Sequence, residues 1–272
     1  MEKVQFRAYA IDFSAADYDT KGLPPGVKFS HTFVTSPNYD WNCFGHGKDS
    51  ISQATRLQSG TGSTYEEWAL EVYGQYWGTN YQDQQHAAAG VTVRVNGVCH
   101  NASNRILALA GADVSDADGD AVVLLMYGKY GFGIEEYIQL VKNAGEKANV
   151  PDEEVNAVVA KIMGEAPEEF EDLEKELLRQ HFLDHLGNQG IGSDQLAQMQ
   201  QAYAKFEEQR ATIYQDTKSN NPDITTFQGQ FTSAIKPELF NCLTEMMEIL
   251  GQEKYLDLFK LHPEMAAQFL LG

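Results

Sequence analysis

The sequence predicts an α+β protein, with a small antiparallel sheet within residues 1–133 followed by an all-helical region over residues 134–272. Two patterns lead to this fold class. Along the first part of the chain apolar and polar residues alternate with period two, as they do in half-buried strands. After Gly133 the apolar residues recur at intervals of three and four, which is typical of helices with one buried face. We therefore expect two domains that meet near residue 133.

The strands of the first domain are predicted from alternation and from flanking turns. Residues 4–13 alternate cleanly, and the prolines and glycines of residues 21–26 favour a turn before the next strand. Residues 45–64 are rich in glycine and serine and are expected to form a long loop. The predicted strands are residues 4–13, 27–34, 39–44 and 121–127, and residues 91–95 are expected to form either a short strand or an extended approach.

Helix starts are marked by capping residues and by acidic first turns. Thr64 followed by two glutamates predicts a helix that runs to about Tyr73. A second helix is expected to open near Cys99 and to end at Gly111. The helices predicted after Gly133 are residues 134–146, 153–163, 167–186, 193–216 and 237–250.

The charge of the chain limits its partners. The net charge is −19, and the part from Glu135 onward holds 25 acidic and 11 basic residues. Phosphate backbones and anionic membrane surfaces are repelled by such a protein, so neither nucleic acid nor a membrane is an expected partner. Acidic helices chiefly keep a protein in solution, and a basic protein is the partner that they would favour.

The cysteines and the N-terminal residues indicate a cytoplasmic protein. Cys43, Cys99 and Cys242 are odd in number, widely spaced and without a CxxC pair, which disfavours both a disulfide framework and a structural zinc site. Residues 1–7 have no secretion-signal pattern, and no stretch reaches the roughly 18 apolar residues of a membrane-spanning helix. We expect neither a metal nor a cofactor.

Residues 96–111 are the strongest candidate for chemistry. Gly97 allows a sharp turn, Cys99 follows it, and a helix then begins. A thiol at a helix N-terminus is close to the positive end of the helix dipole and to unpaired N–H groups, which stabilise a thiolate and can hold an oxyanion. The alternative is a buried structural cysteine, which is a common role for a single cysteine.

A thiol nucleophile needs a base that is near it in space. His31 is the best candidate, because it lies on a predicted strand and shares a face with Phe29 and Phe33. Asn42 and His46, on and just after the predicted return strand, are the first and second candidates to orient its imidazole. His31 alone also fits an ordinary hydrogen-bonded histidine of the core.

The order of these residues resembles the circularly permuted papain-like proteins, which include lecithin–retinol acyltransferase relatives and bacterial amidases and peptidases. The resemblance rests on Ser30-His31-Thr32-Phe33-Val34 and on Asn96-Gly97-Val98-Cys99-His100-Asn101, and it covers about residues 26–127. It implies a papain-like fold in which the cysteine is the nucleophile and the strand histidine is the base. His100, directly after the cysteine, departs from the usual pattern of the family, and the helical half has no counterpart there.

Three functions follow as hypotheses. The first is a cysteine-dependent hydrolase or acyl-transfer enzyme that acts on an amide, ester or thioester of a peptide or small acyl substrate. The second is a non-enzymatic binding or scaffold protein whose acidic helices dock a partner. The third is a metal or haem protein that uses His181 and His185, four residues apart on a predicted helix.

Overall fold

A computed structural model gives the fold of the chain. It describes residues 3–14, 28–35, 40–41, 55–66, 90–109, 121–163, 170–187, 189–220 and 223–272.

The N-terminal part of the described chain forms a four-stranded antiparallel sheet. Its strands are β1 (Lys3–Ser14), β2 (Lys28–Thr35), β3 (Asp40–Trp41) and β4 (Thr55–Glu66), in the order β3-β2-β1-β4. The central pair is in regular register, with Ile11 opposite His31 and Phe13 opposite Phe29. The β1–β4 register shifts on both sides of Arg7. Such irregularities are typical of long strands that bend.

Helices make up most of the described chain after residue 98. Their starts follow the expected chemistry. Asp223 accepts a hydrogen bond from the Thr226 N–H at 2.8 Å, Asp152 opens an acidic first turn, and Pro263 occupies a first helical turn. The described helices are α1 (Cys99–Leu109), α2 (Ala121–Tyr127), α3 (Ile134–Lys147), α4 (Asp152–Met163), α5 (Phe170–Gly187), α6 (Ser193–Asn220), α7 (Ile224–Leu250), α8 (Gln252–Phe259) and α9 (Pro263–Leu271).

One contiguous apolar core joins α2 to α5, α6, α7, α8 and α9. The long helices α6 and α7 pack along each other, and α9 packs on α7. Aromatic rings connect these layers: the ring of Phe182 lies 5.0 Å from that of Tyr203 and 6.3 Å from that of Phe259. Helix α1 packs on β2 and on α4, so it lies between the sheet and the helices.

The predicted fold class, an α+β fold of papain-like arrangement, is wrong. The described chain is mainly helical, and the papain-like arrangement implied by the sequence resemblance is not seen in it. The interpretation as a papain-like thiol protease is wrong with it, since that interpretation depended on the fold.

Two local predictions fail for identifiable reasons, at residues 121–127 and 64–66. Residues 121–127 form helix α2 and not a strand; all seven are buried, and an all-apolar run has no period that distinguishes a helix from a strand. Residues 91–95 are not part of the sheet. Val91 and Val93 form isolated bridges, and residues 94–96 form a turn in which the Asn96 side chain accepts from the Thr92 N–H at 2.7 Å and donates to the Gly90 carbonyl at 3.1 Å. Residues 64–66, the predicted helix start, belong to β4, which also occupies part of the predicted loop.

The helices predicted after Gly133 are all present. Helix α7 is the main difference, because it begins at Ile224 and not at Pro237. Proline is common in the first turn of a helix, which is why Pro237 read as a start. In the structure Pro237 lies inside α7.

Candidate functional site

Helix α1 begins at Cys99, as the sequence predicted to within a residue. The Asn101 side-chain oxygen accepts a hydrogen bond from the Val98 N–H at 2.8 Å. A side chain in the first turn that reaches back to the residue before the helix satisfies an N–H that would otherwise have no partner. Asn101 therefore sets the position at which the helix, and with it the cysteine, begins.

The Cys99 thiol lies against strand β2. Its neighbours there are the backbone and the hydroxyl of Thr32, and the Thr32 side chain is 1% exposed. Burial raises the pKa of the thiol above its ordinary value, and hydrogen bonds with Thr32 and with the backbone of His100 act in the opposite direction. The sulfur therefore keeps its proton at neutral pH, whereas the helix N-terminus alone predicted a thiolate.

The other predicted site residues are located only in part. The backbone of His31 lies in β2, next to Thr32, and pairs with Ile11. The His31 side chain lies outside the described part of the chain, as do Asn42 and His46 altogether. The structure thus brings Cys99 to the strand that carries His31, and their side-chain geometry stays a prediction.

The buried polar face of α1 has a structural role that the sequence did not reveal. Asn101 Nδ2 donates to the Gly128 carbonyl at 2.8 Å, and Asn104 Nδ2 donates to the Lys129 carbonyl at 2.7 Å. Arg105, which is fully buried, donates from Nε to the Tyr130 carbonyl at 2.5 Å and from Nη2 to the Phe132 carbonyl at 3.1 Å. The only sequence signal for this role is the spacing of residues 101, 104 and 105, which places them on one face of the helix.

The turn held by these side chains comprises residues 128–133 and joins α2 to α3. Two of its glycines have a steric role. Gly131 has φ +75°, and a β-carbon there would lie 2.2 Å from the Asn96 carbonyl oxygen. Gly128 has φ +61°, and a β-carbon there would lie 2.4 Å from the end of the Leu178 side chain. A residue with a β-carbon would therefore be strained at both points, most of all at residue 131, where the clash is with the backbone.

His181 supports the same turn from α5. Its Nδ1 accepts a hydrogen bond from the Lys129 N–H at 3.2 Å. Burial, helped by the charge of Lys129, lowers the pKa of His181 to about 4. Within the described ranges no group of three or more histidine, cysteine or acidic side chains is arranged to hold a metal ion. One nitrogen of the proposed His181–His185 metal pair is thus already engaged.

A second buried arginine fastens α6 to the end of α2. Arg210 donates from Nη1 to the Met126 carbonyl at 2.6 Å and lies 3.6 Å from the carboxylate of Glu207, which is also buried. Its guanidinium also lies 5.2 Å from the centre of the Phe132 ring. No local sequence pattern marks Glu207 and Arg210 as buried.

The outer surface of the helices carries the acidic charge. The acidic side chains exposed on α4, α6 and α8 include Asp152, Glu153, Glu208, Asp216, Glu253 and Asp257. Among the described helices, none combines the length and the apolar content needed to cross a lipid bilayer.

Compared with protein-family models, with curated proteins and with solved structures, the chain matches none of them. The resemblance read from residues 26–127 therefore gains no support from relatives, and functional inference rests on the residues themselves.

Proposed function

We propose that the chain is a cysteine-dependent enzyme in which Cys99 accepts an acyl group from an amide, ester or thioester and passes it to water or to another acceptor. The observation that carries this proposal is the position of Cys99. The thiol opens α1 and lies in contact with Thr32 of β2, the strand whose backbone also carries His31.

The raised pKa of the thiol determines which mechanism is consistent with this site. A protonated thiol attacks a carbonyl poorly, so a base must remove the proton as the sulfur–carbon bond forms. His31 is the base that we propose, with Asn42 or His46 orienting its imidazole. The backbone N–H groups of the first turn of α1 would stabilise the oxyanion.

The proposed reaction has two steps. In the first, the thiol proton moves to His31, the sulfur bonds to the carbonyl carbon, and the leaving group departs with that proton, which leaves a thioester on Cys99. In the second, water or another nucleophile gives its proton to His31 and attacks the thioester, and the thiol is regenerated. No oxidant or reductant is required.

The substrate class follows from this chemistry. We propose a peptide or a small acyl compound as the donor, and we propose that the protein works in the cytoplasm. The three cysteines of the chain are odd in number and widely spaced, which supports a reducing compartment.

The experiment measures product release from p-nitrophenyl acetate, an activated ester. The unmodified protein is expected to release an initial burst of nitrophenolate as Cys99 is acylated. Cys99→Ala removes the burst, and the matched control Cys242→Ala, which changes the other described thiol, keeps it. A burst that survives in Cys99→Ala would overturn the proposal.

A second candidate function is supported by the surface charge. The exposed acidic side chains of α4, α6 and α8 would attract a basic protein by long-range electrostatics, with no chemistry at Cys99. Binding of poly-lysine measured by calorimetry, strong at low salt and weakened as salt rises, is the expected result. Neutralising Asp152 and Glu153 together, as Asn and Gln, should weaken it. An absence of binding at low salt would exclude this function.

A further inference from the structure

The outward side of α7 differs from the rest of the described surface. At 100° per residue, one side of this helix between residues 226 and 244 carries exposed or half-buried side chains without any charge. The described side chains on this neutral face are Thr226, Gln230, Ser233, Ala234, Pro237, Phe240, Asn241 and Thr244. In a chain of net charge −19, this is a long charge-free stretch.

Phe240 marks the neutral face as a contact surface. It is 40% exposed, and it is the large apolar side chain most accessible to water in the described chain. Pro237, at the middle of the face, has no N–H, so the Ser233 carbonyl lacks its usual helical donor. The neutral face therefore offers an exposed ring and, within two turns of it, a backbone carbonyl without its usual helical donor.

We propose that the neutral face of α7 binds a second copy of the chain, with the two helices antiparallel and a two-fold axis at Pro237. Two arguments select this occupant. Two molecules of strongly negative charge can meet closely only where both surfaces lack acidic side chains. The glutamates nearest to the neutral face, Glu238, Glu245 and Glu248, lie at its sides and end.

The second argument is that the neutral face is complementary to itself. Small residues, Ser233 and Ala234, stand four and three positions before Pro237, and the larger Phe240 and Asn241 stand three and four positions after it. An antiparallel two-fold pairing at Pro237 reverses this order in the partner. It therefore places the large side chains of each copy over the small side chains of the other, as an isologous interface requires. In this pairing Asn241 and the partner's Ser233 lie at the same position along the helix axes.

Sedimentation velocity tests this inference. The unmodified chain is expected to sediment as a dimer whose population rises with added salt, since salt screens the mutual repulsion. Phe240→Glu is expected to give a monomer with unchanged helical circular dichroism. The control Ala204→Glu, which adds the same charge at an exposed position on α6, should remain a dimer.

Cross-linking gives an independent readout of the axis. Oxidised Pro237→Cys is expected to form a covalent dimer efficiently, because residues on a two-fold axis meet their own copies. Gln209→Cys, at an exposed position on α6, serves as the control and should not form a covalent dimer efficiently. A monomer at every concentration, or a dimer that Phe240→Glu leaves intact, would overturn the inference. The latter result would mean that another surface pairs the copies.

Discussion

Arg105 donates a hydrogen bond from its guanidinium Nε to the carbonyl oxygen of Tyr130, 25 residues later, at 2.5 Å. The guanidinium also lies 4.9 Å from the centre of the Tyr137 ring. This fully buried cation therefore ties α1, the helix that carries Cys99, to the turn before α3. This contact contributes to the position of the helix that carries the candidate nucleophile.

Replacing Arg105 with methionine is expected to destabilise the protein strongly. The substitution keeps an apolar stem but leaves the Tyr130 and Phe132 carbonyls buried without their donor, at a cost of about 3 kcal/mol or more. Urea unfolding followed by circular dichroism measures the change. The control Lys205→Met breaks the exposed ion pair with Glu245 and should cost less than about 1 kcal/mol. Equal effects would contradict the role of Arg105.

Gly131→Ala is expected to cost more than Gly190→Ala. Both glycines have positive φ, +75° and +65°, so both substitutions incur a similar backbone strain of roughly 1 kcal/mol. Only at residue 131 would the new β-carbon also overlap the Asn96 carbonyl oxygen, whereas nothing lies within 4 Å of it at residue 190. Thermal unfolding of the two variants isolates the overlap. Matching melting temperatures would show that the turn can relax.

His181 should make stability depend on pH under acidic conditions. Its pKa of about 4 lies below the ordinary 6.5, so the unfolded chain binds the proton more tightly than the folded one. The contribution of His181 to the free energy of unfolding is complete above pH 6.5 and is lost progressively as the pH falls towards 4. At roughly 1.4 kcal/mol per pH unit the total loss approaches about 3 kcal/mol.

The measurement is the urea midpoint as a function of pH. His181→Gln, which retains an acceptor but does not titrate in this range, should flatten the profile between pH 6.5 and 4. His262→Gln, at an exposed position, is the control and should leave the slope in place. An unchanged slope in His181→Gln would assign the pH dependence to other groups.

Thr32→Val should make the Cys99 thiol less reactive. The Thr32 hydroxyl lowers the pKa of the thiol, so removing it moves that pKa further up, in the direction already set by burial. The rate of alkylation by iodoacetamide should then rise only at higher pH than in the unmodified protein. Thr212→Val, which removes an exposed hydroxyl bonded to the Glu208 carbonyl, is the control. A shift to lower pH would contradict the described contact.

The sequence pattern predicted correctly those helices that have one face exposed to solvent and the other face buried. The helices after Gly133 alternate charged and apolar residues at helical spacing, and this pattern is independent of the partner. Helix α2 carried no such signal, because Val122, Leu124 and Met126 are buried together with their neighbours. The predicted start of α7 at Pro237 is wrong, because the residue that caps the helix is Asp223.

Local sequence features located the candidate site correctly. They did not predict those properties of the site that depend on residues distant in the sequence. Gly97 followed by Cys99 indicated a helix N-terminus, and α1 does begin there. The state of the thiol depends on its burial against Thr32, 67 positions earlier, which no local pattern reveals. Arg105 likewise bonds to carbonyls of residues 130 and 132, and backbone acceptors leave no mark in a sequence.

The most direct test of the account is to locate the acyl group after brief reaction with p-nitrophenyl acetate, by acid quenching and peptide mapping in a mass spectrometer. We predict an acetyl thioester on Cys99 that hydroxylamine removes. The Cys99→Ser variant should not form it, and the His31→Ala variant should form it more slowly or not at all. An unmodified Cys99 peptide, with acetyl groups only on lysines, would contradict the proposal.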